Sequence, residues 1–447
     1  MVTLDRGMGL LQATATNIIG MVGVGPFLTI PFMVTAMNGP HIVYAWAFGA
    51  VLALCDGLVY AELGAALPGS GGPYVYLREA YRPFGLGRLM AFIFIFQLML
   101  VAPLSIAGGA VAFADYLVFY WQSMTPLEHN LVAAAVCAAV TMLLYRDIRS
   151  VGRLAVVMRS VVLARVGWVI VAGLFRFSWQ QAFDFPPEAR RVDAGLLRAM
   201  GAAGLLAMYN YGGYSIVCNI GEELRSPERT LPRAIVLSIV IVVVLYVVMS
   251  TVILGMVPWQ EAQQSRTIAS LFIARTFADP AAGRIAAIVM TSLILFVTAS
   301  SLYAVILGYS RIPFAAARDG QFFSVFGRLH PTKHFPHVSL LTIGIVTLPF
   351  CFFTLGQLVS WLIQVQILLQ FVWQCAAVIL LRRYRPDIAK PFKMWLYPLP
   401  ALVSLAMWIY IYVSAPTGGK LFSAAFLALA VGAFAIFDRA TAVASPS

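Results

Sequence analysis

Long apolar stretches, interrupted by short clusters of charge, glycine and proline, recur along the whole 447-residue chain. Twelve are long enough to be read as membrane-crossing helices, at about 10–37, 41–67, 85–111, 130–147, 152–176, 195–221, 232–257, 284–309, 336–354, 357–381, 395–414 and 420–437. Their unbroken apolar character excludes a membrane β-barrel, whose strands alternate apolar and polar positions. The segments between them are too short to hold a soluble domain. The pattern predicts an all-α polytopic membrane protein of twelve transmembrane helices, a single integral membrane unit over residues 1–447.

Composition agrees. Apolar residues make up 61% and charged residues 11%, against about 45–50% and 25% in soluble proteins. The formal charge of +12 would point to nucleic acid in a soluble chain. Here the spans divide Lys and Arg into 20 on the side of the N-terminus and 8 on the other. That bias reads as topology, with both termini cytoplasmic, and nucleic-acid binding is set aside. The first apolar run exceeds the 7–15 residues of a signal-peptide core and lacks a cleavage site, so it is expected to remain in the protein. Cys55, Cys137, Cys218, Cys351 and Cys375 lie inside apolar runs and read as small buried hydrophobes, not as a disulfide framework or a metal site.

Two spans carry interruptions. The first contains Gly20-Met21-Val22-Gly23-Val24-Gly25-Pro26, and the sixth Tyr209-Asn210-Tyr211-Gly212-Gly213-Tyr214. Glycine weakens a helix by about 1 kcal/mol and proline removes a donor, so both spans are predicted to unwind near mid-membrane. Gly212 lies 189 positions after Gly23, close to the 185 that separate the starts of the two spans. Matched breaks five spans apart, in helices of opposite direction, are the sign of an inverted repeat with a transport site between its halves. The second half of span one, beginning near Phe27, would aim positive amide ends at the break and suit a carboxylate. The first halves would end there in free carbonyls that suit an ammonium, so a zwitterion is the expected ligand.

At these residues the chain resembles the amino acid–polyamine–organocation superfamily, in particular its bacterial amino-acid permeases and the light subunits of heteromeric amino-acid exchangers. Gly23-Val24-Gly25-Pro26-Phe27 is similar to the family's Gly-Ser-Gly-Ile/Val-Phe, and Tyr209 to Tyr214 to its Phe-Ala-Tyr-(Asp/Gly)-Gly-Trp. The stretches from Tyr60 to Leu77, Gly221 to Ile235 and Arg311 to Gly320 follow the family closely as well. The resemblance implies the five-plus-five inverted-repeat transporter fold with discontinuous helices one and six, repeats at about 10–176 and 195–381, and peripheral helices over 395–437. It implies that the backbone of Val22, Gly23, Val24 and Gly25 surrounds a substrate carboxylate. The backbone of Asn210, Tyr211 and Gly212 would take the amine, with Gly213 beside them in the substrate-binding set, and Tyr209 would stand as an aromatic gate. Val24 in place of serine, Pro26, and the bulkier Tyr209-Asn210 set the side-chain pocket apart from the family's.

Ionisable groups inside spans are functional candidates. Many relatives carry a lysine in helix five where this chain has Val162, with Arg159 and Arg165 three residues to either side. Arg165 is a candidate for a permanent charge, since arginine hardly deprotonates, and Arg159 for a residue that snorkels to the cytoplasmic rim. Asp56 is a cation-binding, protonatable or paired structural group, and Glu62 a structural partner for arginines. Thr298 and Ser301 offer oxygen ligands for a sodium ion. Gln366, Gln370 and Gln374 repeat every four residues, as in an interhelical hydrogen-bonding seam. His330, His334 and His337 share a loop broken by Pro331 and Pro336, and no metal site is expected there.

The sequence therefore reads as a secondary active transporter, permease or exchanger, moving L-amino acids across the cytoplasmic membrane by alternating access. Its partners are a small-molecule amino acid and the lipid bilayer, with protons, sodium or exchange open as the coupling. No cofactor is expected, and no nucleotide-binding loop of the Gly-x4-Gly-Lys-Ser/Thr kind is present. The alternatives are a polyamine or organic amine transporter, which would need carboxylates at the pocket, and a membrane-embedded transferase, for which the three histidines are the sole support. A channel would want rings of charge or carbonyls around an open pore.

Overall fold

A computed structural model describes residues 7–68, 72–146, 164–187, 193–333 and 335–444. Two helices, α1 (Leu10–Met21) and α2 (Gly25–Met37), meet at 50° across a short break. They are followed by α3 (Val43–Ala66), α4 (Pro73–Tyr81), α5 (Gly87–Leu117), α6 (Pro126–Arg146), α7 (Ala164–Leu174) and α8 (Ala194–Tyr211). Next come α9 (Pro227–Leu254), α10 (Ile268–Thr276), α11 (Pro280–Arg318) and α12 (His337–Phe350), then α13 (Leu355–Tyr384), α14 (Leu399–Ser414) and α15 (Thr417–Ala444). Among the described residues the only β feature is a single bridge between Met8 and Leu224.

The helix ends follow from local chemistry. Asp193 caps α8 by accepting from the Leu196 amide at 2.8 Å, and Asp279 caps α11 through the amides of Ala281 and Ala282. Thr354 and Gln357 form a reciprocal capping box at the start of α13. Asn38 closes α2 in the left-handed region at φ 51°, a conformation asparagine tolerates. Within α13 a π turn over Ile367–Phe371 interrupts the glutamine repeat.

Seven helices, α3, α5, α6, α9, α11, α13 and α15, are individually long and apolar enough to cross a bilayer, and the bent α1–α2 pair makes an eighth. Shorter apolar helices are α7, α12 and α14, and α8 has 18 residues. Helix α5 is buried over 78% of its apolar stretch and runs through the centre, whereas α15 is buried over 17% and lies at the rim. The packing partners are α2 with α8, α3 with α9, α5 with α11 and α6 with α12, each pair joining spans five apart in the sequence reading. Helix α14 packs on α3 and α13.

Among the boundaries that differ from the sequence reading, three stand out. Gly20 remains helical and Pro26 sits inside the second helix, so the break narrows to Val22–Val24 and α2 begins at Gly25, ahead of Phe27. Proline in the first turn loses no hydrogen bond, because amides there have no intrahelical acceptor. Span six is α-helical only as far as Tyr211, beyond which single turns at Ile216–Asn219 and Gly221–Glu223 replace a helix. Helix α11 runs 39 residues, to Arg318, well past the expected end near 309.

A polar network ties one end of the bundle. Glu62 of α3 accepts from Arg382 Nε and Nη2 at 2.5 and 2.7 Å and from the Met394 amide at 2.8 Å. This is the arginine partnership expected of Glu62. Nearby, Glu79 pairs with Arg78 at 3.0 Å and Arg385 at 2.9 Å. Burial pushes the Glu79 carboxyl up, but the hydrogen bonds from Arg385 and Arg78 outweigh it and hold the group below its ordinary value.

Candidate functional site at two helix breaks

The two interrupted helices meet backbone to backbone. A Cβ on Gly213 would fall 2.4 Å from the Gly20 carbonyl carbon and 2.6 Å from the Met21 nitrogen, so the approach requires glycine there. Gly25 is pressed in the same way against Asn210, whose Oδ1 would lie 2.5 Å from an added Cβ. Gly23 by contrast faces open space, and Gly20 is exposed. The candidate residues on the two breaks are thus brought together, with a gap beside Gly23.

Of the expected carboxylate-binding amides, that of Val22 is already engaged, donating to Ile18 O at 2.7 Å as the last bond of α1. That removes Val22 N–H from the set, for the physical reason that the helix continues one residue further than its glycines imply. The amides of Gly23, Val24 and Gly25 have no protein acceptor among the described residues. They stand at the positive end of α2.

On the facing element, the Asn210 side chain donates to Thr29 Oγ1 at 2.8 Å and to Leu206 O at 2.7 Å, locking α8 to α2. Its Oδ1 is buried without a partner among the described residues. Tyr209 is half-buried, with its ring edge beside Gly25. Tyr211 is buried, packed edge-on against Trp46 at 5.6 Å and beside Tyr246 at 5.6 Å.

Tyr246 of α9 joins the candidate site, and sequence reasoning missed it. Its hydroxyl donates to Met21 O at 2.6 Å and lies 3.5 Å from Asn210 O, so it spans the carbonyl ends of both interrupted helices. A lone tyrosine in an apolar run carries no period or motif that marks it.

Arg165 also reaches the break. It is 1% exposed, and its Nη2 donates to Gly23 O at 2.9 Å. Its guanidinium carbon lies 4.9 Å from the centre of the Phe27 ring. Nε and Nη1 have no protein partner, and no carboxylate pairs with it among the described residues. Arg159 and Val162 lie outside the described residues.

Among the described residues, Asp56 is the one remaining candidate hydrogen-bonded to a residue of a break, Tyr214. Thr298 donates to Ile294 O within its own helix at 2.7 Å, and Ser301 is half-buried. Asp56 is buried under donors from α14 and from Tyr214 beyond the end of α8. Gln97 donates to Gln370 Oε1 at 2.8 Å and Gln370 to the Tyr60 hydroxyl at 2.7 Å, so of the three repeating glutamines Gln370 makes the interhelical bonds, while both side-chain polar atoms of Gln374 are without a protein partner among the described residues. His330 and His337 are ring neighbours at 5.6 Å, and His334 lies outside the described residues.

Comparison with known proteins bears on this geometry. Residues 8–435 match the sequence model of the amino acid permease family. The chain is 26% identical to the human cystine/glutamate transporter over 421 residues, covering 92% of this chain and 81% of that protein. It is likewise 26% identical to the branched-chain amino acid permease BcaP of Bacillus subtilis over 420 residues, covering 88% and 84%. Cationic amino acid transporter 4 of Mus musculus is 26% identical over 392 residues, covering 83% of this chain, which spans only 57% of that longer protein. A match over almost the entire length, on an all-helical polytopic bundle with a broken first span, assigns the chain to the amino acid permease family of the amino acid–polyamine–organocation superfamily.

Proposed function

We propose that this permease carries an L-amino acid across the cytoplasmic membrane by alternating access, with the substrate held between the two breaks. The observation that carries the reading is the set of unengaged amides of Gly23, Val24 and Gly25 at the start of α2, set against the carbonyl end of α8. Backbone donors at a helix N-terminus favour a carboxylate, and carbonyls at a helix C-terminus favour an ammonium. In this reading Tyr209, Asn210, Tyr211, Gly212 and Gly213 form the amine side, and Tyr209 closes the site. Amino-acid substrates in the names of the three relatives support the same class.

Arg165 supplies a permanent positive charge on the α1–α2 break. It occupies the Gly23 carbonyl that a sodium ion would otherwise use, which weighs against a sodium site shared with Thr298 and Ser301. It also weighs against a polyamine substrate, because a polycation would meet a buried arginine and no carboxylate there. The packing of spans five apart supports the inverted repeat and a total of twelve spans, with α7, α8, α12 and α14 crossing as well. The excess of Lys and Arg on the side of the N-terminus supports cytoplasmic termini.

The test is uptake and counterflow in proteoliposomes with labelled amino acids and polyamines, with and without sodium and a pH gradient. Saturable counterflow of at least one amino acid is expected. Transport of polyamines alone, or of nothing in the panel, would overturn the reading.

A further inference from the structure

An arginine at the break has no exchangeable proton in the working pH range. A permease that draws on a proton gradient therefore needs another titratable group. Among the described residues the buried carboxylates are Glu62, held by Arg382, and Asp56.

Asp56 lies halfway along α3 and is fully buried. Its Oδ1 accepts from Ser404 at 3.0 Å, Trp408 Nε1 at 3.1 Å and Cys375 Sγ at 3.6 Å. Among the described residues its Oδ2 accepts from the Tyr214 hydroxyl alone. No cation pairs with it among the described residues. The titratable groups facing it are Tyr214 after the helix-six break, Cys375 of α13, and Cys55 and Tyr60 of its own helix. From α9, Ile235 and Ile239 pack on the adjacent Gly57. A buried carboxylate with a shell of neutral donors and no counter-ion can change its charge without breaking a salt bridge.

The split of donors between the two oxygens gives that change a direction. A proton added to Oδ2 makes it a donor and a poorer acceptor, so the Tyr214 hydroxyl either accepts from it or keeps only a weaker, neutral bond. A charge-assisted bond is then replaced by at most a neutral one, roughly half as strong. Tyr214 follows directly on Gly212 and Gly213, where the helix has already ended. Protonation therefore loosens the helix-six break from α3, while Oδ1 keeps its ties to α13 and α14.

A polar seam begins at a ring packed against Tyr214, with no hydrogen bond to the carboxylate itself among the described residues. The Tyr60 ring packs edge-on against Tyr214 at 5.9 Å, and its hydroxyl continues through Gln370 to Gln97. Beside Cys375, Gln374 has both side-chain polar atoms buried without a protein partner among the described residues.

We propose that Asp56 is the proton-binding carboxylate of this permease, and that its charge state sets whether the helix-six break is held to α3. The proposal rests on the amino-acid transport reading above. The proton is taken from water on one side of the membrane and returned to water on the other, and no other bond is made or broken.

The test uses the full-length protein in proteoliposomes containing a trapped pH dye, with a mixture of the standard L-amino acids as probe. Amino acids added outside, at acid external pH, should acidify the lumen and accumulate. Asp56→Asn should reduce gradient-driven accumulation by about tenfold and abolish the dye signal, while exchange counterflow persists at a lower rate. Ser404→Ala removes one donor to the charged form, so the pH midpoint of uptake should move upward by about half a unit or more. Proton-driven accumulation retained in Asp56→Asn, or wild-type counterflow with no proton movement, would overturn the proposal and leave the transport reading standing. Should Asp56→Asn fail to fold, an unshifted pH midpoint in Ser404→Ala overturns it. Absence of any counterflow in the wild type would remove both.

Discussion

Arg165 donates to the carbonyl oxygen of Gly23 at 2.9 Å, so a cation from α7 is seated on the backbone of a break 142 positions earlier in the chain. Hydrogen bonds to charged groups contribute about 1.5–3 kcal/mol, which corresponds to roughly 10-fold to 150-fold in an equilibrium. Replacing Arg165 with Met should lower amino-acid uptake by about tenfold or more without removing the protein from the membrane fraction. Lysine at this position should restore part of it, since it keeps the charge and loses the planar fork. Unchanged uptake in Arg165→Met, measured beside expression, would exclude the residue from the site.

Gly25 and Asn210 are coupled by volume. An alanine at position 25 places its Cβ 2.5 Å from Asn210 Oδ1, a collision with a side-chain atom, not with backbone. Gly25→Ala alone should abolish uptake. The double variant Gly25→Ala with Asn210→Ala should recover a measurable part, because the obstructing atom is gone. A double variant no better than the sum of its parts would show that the two sites act independently.

Tyr246→Phe removes a single hydroxyl that reaches carbonyls on both interrupted helices. The loss of the buried bond to Met21 O should cost about 1–2 kcal/mol. Thermal stability in detergent should fall, and the concentration of amino acid for half-maximal uptake should rise. A variant indistinguishable in both would reduce Tyr246 to a packing residue.

Acid should weaken the fold through Glu79. Its carboxyl is held below its ordinary value in the folded protein, so the stabilisation is complete above the unfolded value of about 4.3 and is lost as pH falls through the lower folded value. Glu79→Gln should lower the melting temperature at neutral pH and flatten the acid limb of the stability curve. An acid limb as steep as that of the wild type would place the responsible carboxylate elsewhere.

The break in span one was legible because three glycines and a proline fall within seven residues, but its edges were not. A glycine costs about 1 kcal/mol in a helix, which tertiary contacts offset, so Gly20 stays helical. Span six reads as apolar through residue 221, yet the Gly212–Gly213 pair ends it at Tyr211 because the backbone there must fit against Gly20 and Met21. The cost of Arg165 was visible in the sequence, whereas its acceptor, a carbonyl on another helix, depended on the packing. Tyr246 was invisible for the same reason. The overrun of α11 was hidden because Arg311 and Arg318 read as a loop, and a helix that leaves the bilayer can carry such charges on its last turns.

The small bridge at the start of the chain has a mechanical meaning. Met8 exchanges backbone hydrogen bonds with Glu223 and Arg225 at 3.1 and 2.9 Å. Further along, Asn17 accepts from the Val217 amide at 3.0 Å and donates to Ser238 at 3.3 Å. The segment before the first break and the segment after the second are therefore stitched at both ends, like two slats on one frame. A tilt imposed on either one would be carried to the other, so the two interruptions are placed to act as the paired hinges of a single leaf.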